Sequence, residues 1–350
     1  MIPMETVMPK SNTYKYSIIV ATYNRIEEMK ELINSLQAMT FSPTDFELVV
    51  VDDGSADGTG DYIKSLDTEF DIQYHYQQNQ GPGAARNRAM SEAKGEYFIF
   101  LDSDVIVPER YLTAVDESVT TESWDAFGGP DDSHPSFPPL LLAINYSMTS
   151  FIGTGGTRGS TDSVTRFYPR SFNMGIHRQI FESMGGMNDL RHGQDMDYSA
   201  RIYRAGYKVG LIPDAVVYHK RRTSLKKFYK QIFNWGVARI NLGRTYSEML
   251  KPVHLLPAVL IAIVIISVVA SLFFPAVLWL FLFMVFGAIG VAGFAFYDSY
   301  RQTQKWRVAF LSIVTLFLQV FAYGLGTWSG IWQWMRGKSR AEGFTKNYYK

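Results

Sequence analysis

The chain has 350 residues, no cysteine, and 34 Lys and Arg against 33 Asp and Glu, a formal net charge of +1. That length admits one large domain or two smaller ones. The missing cysteines exclude disulfides and thiolate-ligated metals.

Met1 to Lys15 has no apolar core. No signal peptide is expected, and the soluble part is expected to remain in the cytosol. Tyr16 to Ala21 is a short β-branched run that predicts a first strand. Ile26, Met29, Leu32, Ile33, Leu36 and Met39 recur at helical spacing and predict an amphipathic helix. Phe46 to Val51 reads as a second strand, ending in Asp52-Asp53-Gly54-Ser55. A helix is expected over Thr59 to Leu66, a third strand over Ile72 to Tyr76, a helix from Gly83 to Ala93, and a fourth strand over Tyr97 to Leu101. Strands alternating with helices imply βαβ units and a parallel sheet. Ligands of such sheets bind outside the carboxyl ends of the strands. Four polar loops fall there: Thr22-Tyr23-Asn24, Asp52-Asp53, Asn79 to Arg86, and Asp102-Ser103-Asp104.

Asp102 and Asp104 are the most informative of these. Two acids one residue apart at a strand end can hold a divalent cation whose remaining ligands come from water and a substrate's phosphates. Arg86 can offer a guanidinium to a phosphate. The helix opening at Gly83 can present backbone N–H groups to an anion. The middle of the chain, Asp104 to Gly193, reads as less regular. Its Pro-rich stretch from Pro130 to Pro139 and Gly-rich stretch from Gly153 to Gly159 predict long loops.

Lys220 to Lys251 carries nine Lys or Arg and one acid, Glu248. Nucleic-acid binding is the rival reading of such a cluster. Its position directly before a long apolar stretch favours a juxtamembrane segment on anionic lipid instead. Within it, Ser224 to Tyr246 shows apolar residues at helical spacing. That pattern fits either a helix in the membrane interface or a helix packed on the domain. From Val253 to Tyr297, and again from Val308 to Met335, there is no charged residue. A bilayer crossing takes about 20 apolar residues. Three spans are therefore expected, near Val253–Phe274, Ala276–Tyr297 and Val308–Trp332. Three full crossings would put the basic tail, with Arg336, Lys338 and Arg340, on the far side, against the positive-inside tendency. Either the tail is an exception or one segment is re-entrant or interfacial.

Taken together, Ser17 to Arg25, Val50 to Ser55, Asn79 to Asn87 and Asp102-Ser103-Asp104 resemble family 2 glycosyltransferases in order and spacing. The resemblance covers about Tyr16 to His219. It implies an α/β catalytic domain of the GT-A fold, inverting chemistry, and a membrane-anchored bacterial type. The expected organisation is a tail over 1–15, a GT-A domain over 16–222, and a basic amphipathic segment over 223–251. A membrane region over 252–335 and a basic tail over 336–350 follow. By the family's pattern, Thr22, Asn24, Asp52 and Asp53 lie in the loops that hold the base and ribose. Asn79 and Arg86 flank the nucleotide, and Asn173 touches the sugar or diphosphate. Asp104, and less firmly Asp102, ligate the cation. His219 is a further candidate ligand, with a structural histidine as the competing reading. Gly193-Gln194-Asp195-Met196-Asp197 resembles the family's Glu-Asp motif, which makes Asp195 the expected base; Gln194 replaces the usual Glu. Asp197 is a decoy two residues on. Arg201 matches an arginine of similar members, Arg170 is a weaker candidate, and His75 and His177 read as structural.

The implied cofactor is Mg²⁺ or Mn²⁺, and the implied donor a UDP- or GDP-sugar. The implied acceptor is a lipid-linked or polysaccharide glycan at the cytoplasmic membrane face, with membrane lipids as neighbours and no nucleic acid. A polyprenyl-phosphate glycosyltransferase is an alternative. A processive polysaccharide synthase is another, although Gln231-Ile232-Phe233-Asn234-Trp235 only partly echoes the Gln-x-x-Arg-Trp of such synthases. A membrane scaffold that binds nucleotide sugars without catalysis is the non-enzyme reading.

Overall fold

The computed structural model describes residues 14–154, 167–190, 192–220 and 223–337. A seven-stranded sheet forms the centre, in the order β3-β2-β1-β4-β8-β6-β9. Its strands are β1 (Tyr14–Thr22), β2 (Phe46–Asp52), β3 (Asp71–Tyr76), β4 (Gly95–Asp102), β6 (Ala126–Gly128), β8 (Asn173–His177) and β9 (Val209–Leu211). β1 pairs in parallel with both β2 and β4, and β2 with β3. β8 enters antiparallel between β4 and β6. A second sheet sets β10 (Val217–His219) between β5 (Val105–Ile106) and β7 (Asp131–Asp132).

The central strands read as unbroken apolar runs because both faces are covered. Every residue of β2 is buried. On one face Met29, Leu32, Ile33 and Leu36 of α1 (Ile26–Gln37) pack on Ile18, Val20, Leu48 and Ile99. On the other, Ala85, Ala89 and Met90 of α3 (Pro82–Glu92) pack on Ile19, Val49 and Phe100. A short helix, α2 (Thr59–Lys64), joins β2 to β3.

The middle of the chain departs from the loop-rich expectation. It holds α4 (Tyr111–Glu122), α5 (Pro139–Thr149), α6 (Phe151–Thr154) and α7 (Arg178–Met184) as well as β6 to β8. Pro138 and Pro139 do not mark a loop; they open α5, where a proline costs no hydrogen bond. Residues 155–159 of the glycine-rich stretch lie outside the described residues.

After α8 (Gln194–Arg204) come α9 (Leu225–Thr245), α10 (Leu256–Ser271), α11 (Pro275–Thr303) and α12 (Trp306–Met335). Three helices, Pro252–Ser271, Pro275–Thr303 and Trp306–Met335, are long and apolar enough to cross a membrane. The basic segment forms a helix that packs on the rest of the protein. Ser224 caps α9 by accepting from Lys227 N–H at 3.2 Å. Phe228 and Ile232 of α9 are buried with Ile144 and Met148 of α5 and Ala322 of α12.

Candidate active site

The carboxyl ends of β1, β2 and β4 lie side by side, with Thr22 opposite Asp52 and Ala21 opposite Asp102 in register. The loops leaving those ends are tied to one another. Asn24, in the left-handed region at φ 50°, accepts from Ala56 N–H at 2.8 Å, and its own N–H donates to Ser55 Oγ. Asp52 accepts from Ser55 N–H at 2.7 Å and from Tyr74 Oη at 2.9 Å. Asp53 accepts from Gln77 Nε2 and from the backbone N–H groups of Gln80 and Gly81, all within 2.9 Å. Asn79 donates to the Asp53 carbonyl.

Asp52 and Asp53 are each 1% exposed. Their carboxylates tie the loop after β2 to β3 and to the segment that opens α3. A buried carboxylate is stable only when donors surround it, and these donors come from the loops themselves. Asn173 is bound in the same way. It is 1% exposed, donates from Nδ2 to the Ala215 carbonyl at 2.7 Å and accepts from Tyr111 Oη at 2.7 Å. Its amide locks β8 to the segment before β10. Thr22 Oγ1, at the end of β1, is buried with no hydrogen-bond partner among the described residues.

Asp102, Asp104 and His219 converge, with ligand atoms within 4.8 Å of one another. Backbone pairing brings His219 there from far along the chain. It lies opposite Val105 in the antiparallel β5–β10 pair, and Lys220 N–H donates to the Asp104 carbonyl at 2.8 Å. His219 Nε2 stands 3.1 Å from Asp104 Oδ1, and its Nδ1 3.6 Å from the buried carboxylate of Asp131 on β7. Burial works against a charged ring, but Asp104 and then Asp131 outweigh it and push His219 up to about 9. Two carboxylates and an imidazole form a donor set suited to Mn²⁺ or Mg²⁺, with open positions for phosphate oxygens.

Two arginines flank this group. Arg25 Nη1 pairs with Asp104 Oδ2 at 2.7 Å, and Arg86 Nη2 with Asp102 Oδ1 at 2.6 Å. Arg86 was expected beside the nucleotide; Arg25 was read only as part of the motif. Its guanidinium reaches Asp104 because the Asn24 turn reverses the chain just before α1.

Asp195 opens α8 behind Gly193, whose φ of +81° is a conformation that side-chain-bearing residues rarely adopt. Its carboxylate accepts from Met196 N–H at 2.9 Å and is partly exposed. The neighbouring Gln194 amide lies against Gly83 at the start of α3, where a Cβ would overlap it. Thus the helix that carries Asp195 touches the helix that opens the nucleotide loop. The decoy Asp197 faces elsewhere. It is buried and bound by Asn188, Arg201 and Tyr246, which ties α8 to the end of α9. Arg201 is therefore a partner of Asp197. His177 caps α7 and meets the Tyr97 ring edge to face.

Comparison with known proteins agrees with this geometry. The model of glycosyl transferase family 2 matches residues 17–185, and that of glycosyl transferase family group 2 matches residues 169–295. The glycosyltransferase AglE of Haloferax volcanii is 27% identical over 270 residues, 69% of this chain and 83% of that one. The succinoglycan biosynthesis protein ExoA of Rhizobium meliloti is 24% identical over 227 residues, 63% of this chain and 68% of that one. Among solved structures, the mannosyltransferase PcManGT from Pyrobaculum calidifontis, in complex with GDP-Man and Mn²⁺, superposes with a TM-score of 0.57 at 17% identity over 87% of both chains. That likeness shows the fold. With loops of this order gathered at one sheet edge, the chain belongs to the family 2 glycosyltransferases, enzymes that transfer a sugar from a nucleotide-sugar donor.

Proposed function

We propose that this protein is a metal-dependent, inverting glycosyltransferase that moves a sugar from a UDP- or GDP-sugar to a hydroxyl of a lipid-linked glycan at the cytoplasmic membrane face. The observation that carries the reading is the convergence of Asp102, Asp104 and His219 at the strand ends. The same edge carries Asp195 on a helix packed against the nucleotide loop.

Asp104, His219 and Asp102 would hold the cation, which when bound neutralises the donor's diphosphate. Arg25 and Arg86 add positive charge on the same side and orient the two carboxylates. Asp195 takes the proton from the acceptor hydroxyl as that oxygen attacks the anomeric carbon. The new C–O bond forms opposite the bond to the departing phosphate oxygen, so the carbon inverts and the diphosphate leaves with the electron pair.

Two features support an acceptor that arrives from a membrane. A cleft of about 160 Å³ beside α8 is lined by His192, Asp197, Phe233, Asn234, Asn241 and Gln333, a polar and aromatic mixture suited to a sugar. It is walled by α9 and α12, the helices next to the apolar region. The basic run from Lys220 to Lys251, with nine Lys or Arg and one acid, adds positive charge suited to a lipid phosphate.

The test is sugar transfer or donor hydrolysis by purified protein with a panel of nucleotide sugars and Mn²⁺. Asp195→Asn is expected to lower kcat by roughly 10²–10⁴-fold while the donor still raises the thermal midpoint. Equal activity of this variant and wild type would remove Asp195 from the mechanism. A trapped glycosyl-enzyme intermediate would exclude inversion in one step.

A further inference from the structure

We infer that α12 does not cross the bilayer but lies in its interface, along the underside of the catalytic unit, so that the α10–α11 hairpin makes the whole transmembrane excursion. The chain beyond Arg336 then stays on the same side as the active site.

The first observation is that α12 is fastened to the catalytic unit along its entire length. At its start, Lys305 Nζ donates to the Pro135 carbonyl at 3.1 Å, and Val308 is buried with Phe137 and Leu141. At its middle, Thr315 Oγ1 donates to Ala143 O at 3.0 Å and Gln319 Nε2 to Ser147 O at 2.9 Å. At its end, Gly326 lies against the backbone of Phe233, Gly330 against Ile240, and Arg244 stands over the Trp334 ring. The supports belong to the catalytic unit. α5 is bonded to β7 through Asn145 and Asp132 at 2.9 Å, and α9 to the base helix through Tyr246 and Asp197 at 2.6 Å. A helix of this length measures about 45 Å. The hydrocarbon core is about 30 Å thick, so a crossing would carry one end to the far surface. Here both ends touch the unit that holds the site.

The second observation is the division of its surface. Phe310, Val314, Phe317, Phe321, Trp328 and Trp332 form one outward stripe, each at least 40% exposed. The buried side carries Ser312, Thr315, Gln319, Thr327 and three glycines. The polar side thus faces protein and the aromatic side faces outward, the reverse of a helix that meets water. Arg307 over Trp306 and Arg336 over Trp332 pair cations with aromatic rings at the two ends, as interface anchors do.

The hairpin behaves differently. α10 leaves α12 where Trp328 Nε1 donates to Ala258 O at 3.0 Å, and α11 returns where Ser299 meets Ser312 at 2.8 Å. Between Ile261, set against Gly324, and Ala295, buried with Tyr146 and Leu316, most of the hairpin's apolar surface is exposed. The most apolar window of α11 is 0% buried against 44% for α12, and Leu272, Phe273 and Phe274 at the turn are all over 60% exposed. Lipid is the occupant that suits so much continuous apolar surface. An even number of passages also places Arg336 where the positive-inside tendency wants it.

The chain has no cysteine, so single-cysteine variants test this in the full protein. In sealed vesicles of known sidedness, an impermeant maleimide is expected to label Arg336→Cys from the same side as Glu92→Cys, which is exposed on the catalytic unit. Nitroxide depth is then measured at Phe310→Cys, Phe317→Cys, Phe321→Cys and Trp332→Cys, exposed positions that cover about 33 Å of helix axis. An interfacial helix gives a flat profile, within about 5–10 Å of the headgroup boundary at every position. A crossing helix gives a profile that peaks near the bilayer centre between Phe317 and Phe321. Labelling of Arg336→Cys from the opposite side, or a peaked profile, overturns the inference.

Discussion

The metal group makes a prediction about protons that can be worked through from its geometry. In the metal-free protein His219 lies between Asp104 and Asp131, which push its pKa up to about 9. The ordinary value is about 6.5. A group whose folded pKa is raised stabilises the fold fully below its unfolded value, and the contribution fades as pH rises through the folded value. The window is therefore pH 6.5 to 9, and the difference corresponds to about 3 kcal/mol. For a protein of this size that is on the order of 4 °C in thermal midpoint. Unfolding of chelator-treated protein in detergent, followed from pH 6 to 10, is expected to show this loss in wild type and not in His219→Gln. The difference between the two curves isolates His219 from the other groups that titrate. The same linkage governs the cation, which needs a neutral imidazole. With UDP or GDP present, apparent Mn²⁺ affinity is expected to rise about tenfold per pH unit below about 9 and then level off. Parallel stability curves for wild type and His219→Gln, or a Mn²⁺ affinity flat across this window, would refute the reasoning.

Asp104→Asn removes both a cation ligand and the partner of Arg25, so stabilisation of the protein by Mn²⁺ plus nucleotide is expected to disappear from thermal scans. Asn173→Ala leaves the Ala215 carbonyl and the Tyr111 hydroxyl unpaired in the interior. It is expected to cost about 2–4 kcal/mol in denaturant unfolding, with the donor KM of the remaining folded protein unchanged. Gly83→Ala places a Cβ on the Gln194 amide, the far end of a flexible side chain. Stability is expected to change by less than about 1 kcal/mol while kcat falls, and Gly83→Ala combined with Gln194→Ala is expected to match Gln194→Ala alone.

The half of the site built on β1 to β4 was legible because buried parallel strands write themselves as apolar runs, and the polar residues that end each run fall together once the sheet forms. The cation side was only partly legible. β5, β7 and β10 are two or three residues long, too short for a period. Their partners alone define them, so nothing near Asp131 announced that it would stand behind His219. Arg25 lay inside a quoted motif, yet its reach to Asp104 depends on the left-handed turn at Asn24. The internal partners of three site candidates were not legible either. Asp52, Asp53 and Asn173 carry side chains that bond a neighbouring backbone as readily as a ligand, and sequence does not say which partner arrives first.

The arrangement of α9 links the chemistry to the apolar region. It begins shortly after His219, one of three groups that could hold a cation, and its far end is held by Tyr246 on Asp197, two residues from Asp195, the proposed base. One helix therefore spans from the proposed cation side to the proposed base side. α12 lies on that helix through Gly236 and Gly326, where close backbone approach leaves no room for a side chain, and through Gly330 against Ile240. A force that tilts α12 must move α9 with it, because contacts this close transmit strain. The surface that meets lipid and the span between the proposed cation and base sides are thus properties of one packed pair of helices. This accounts for a feature that catalysis alone would not require: the polar face of α12 is turned inward, onto the catalytic unit.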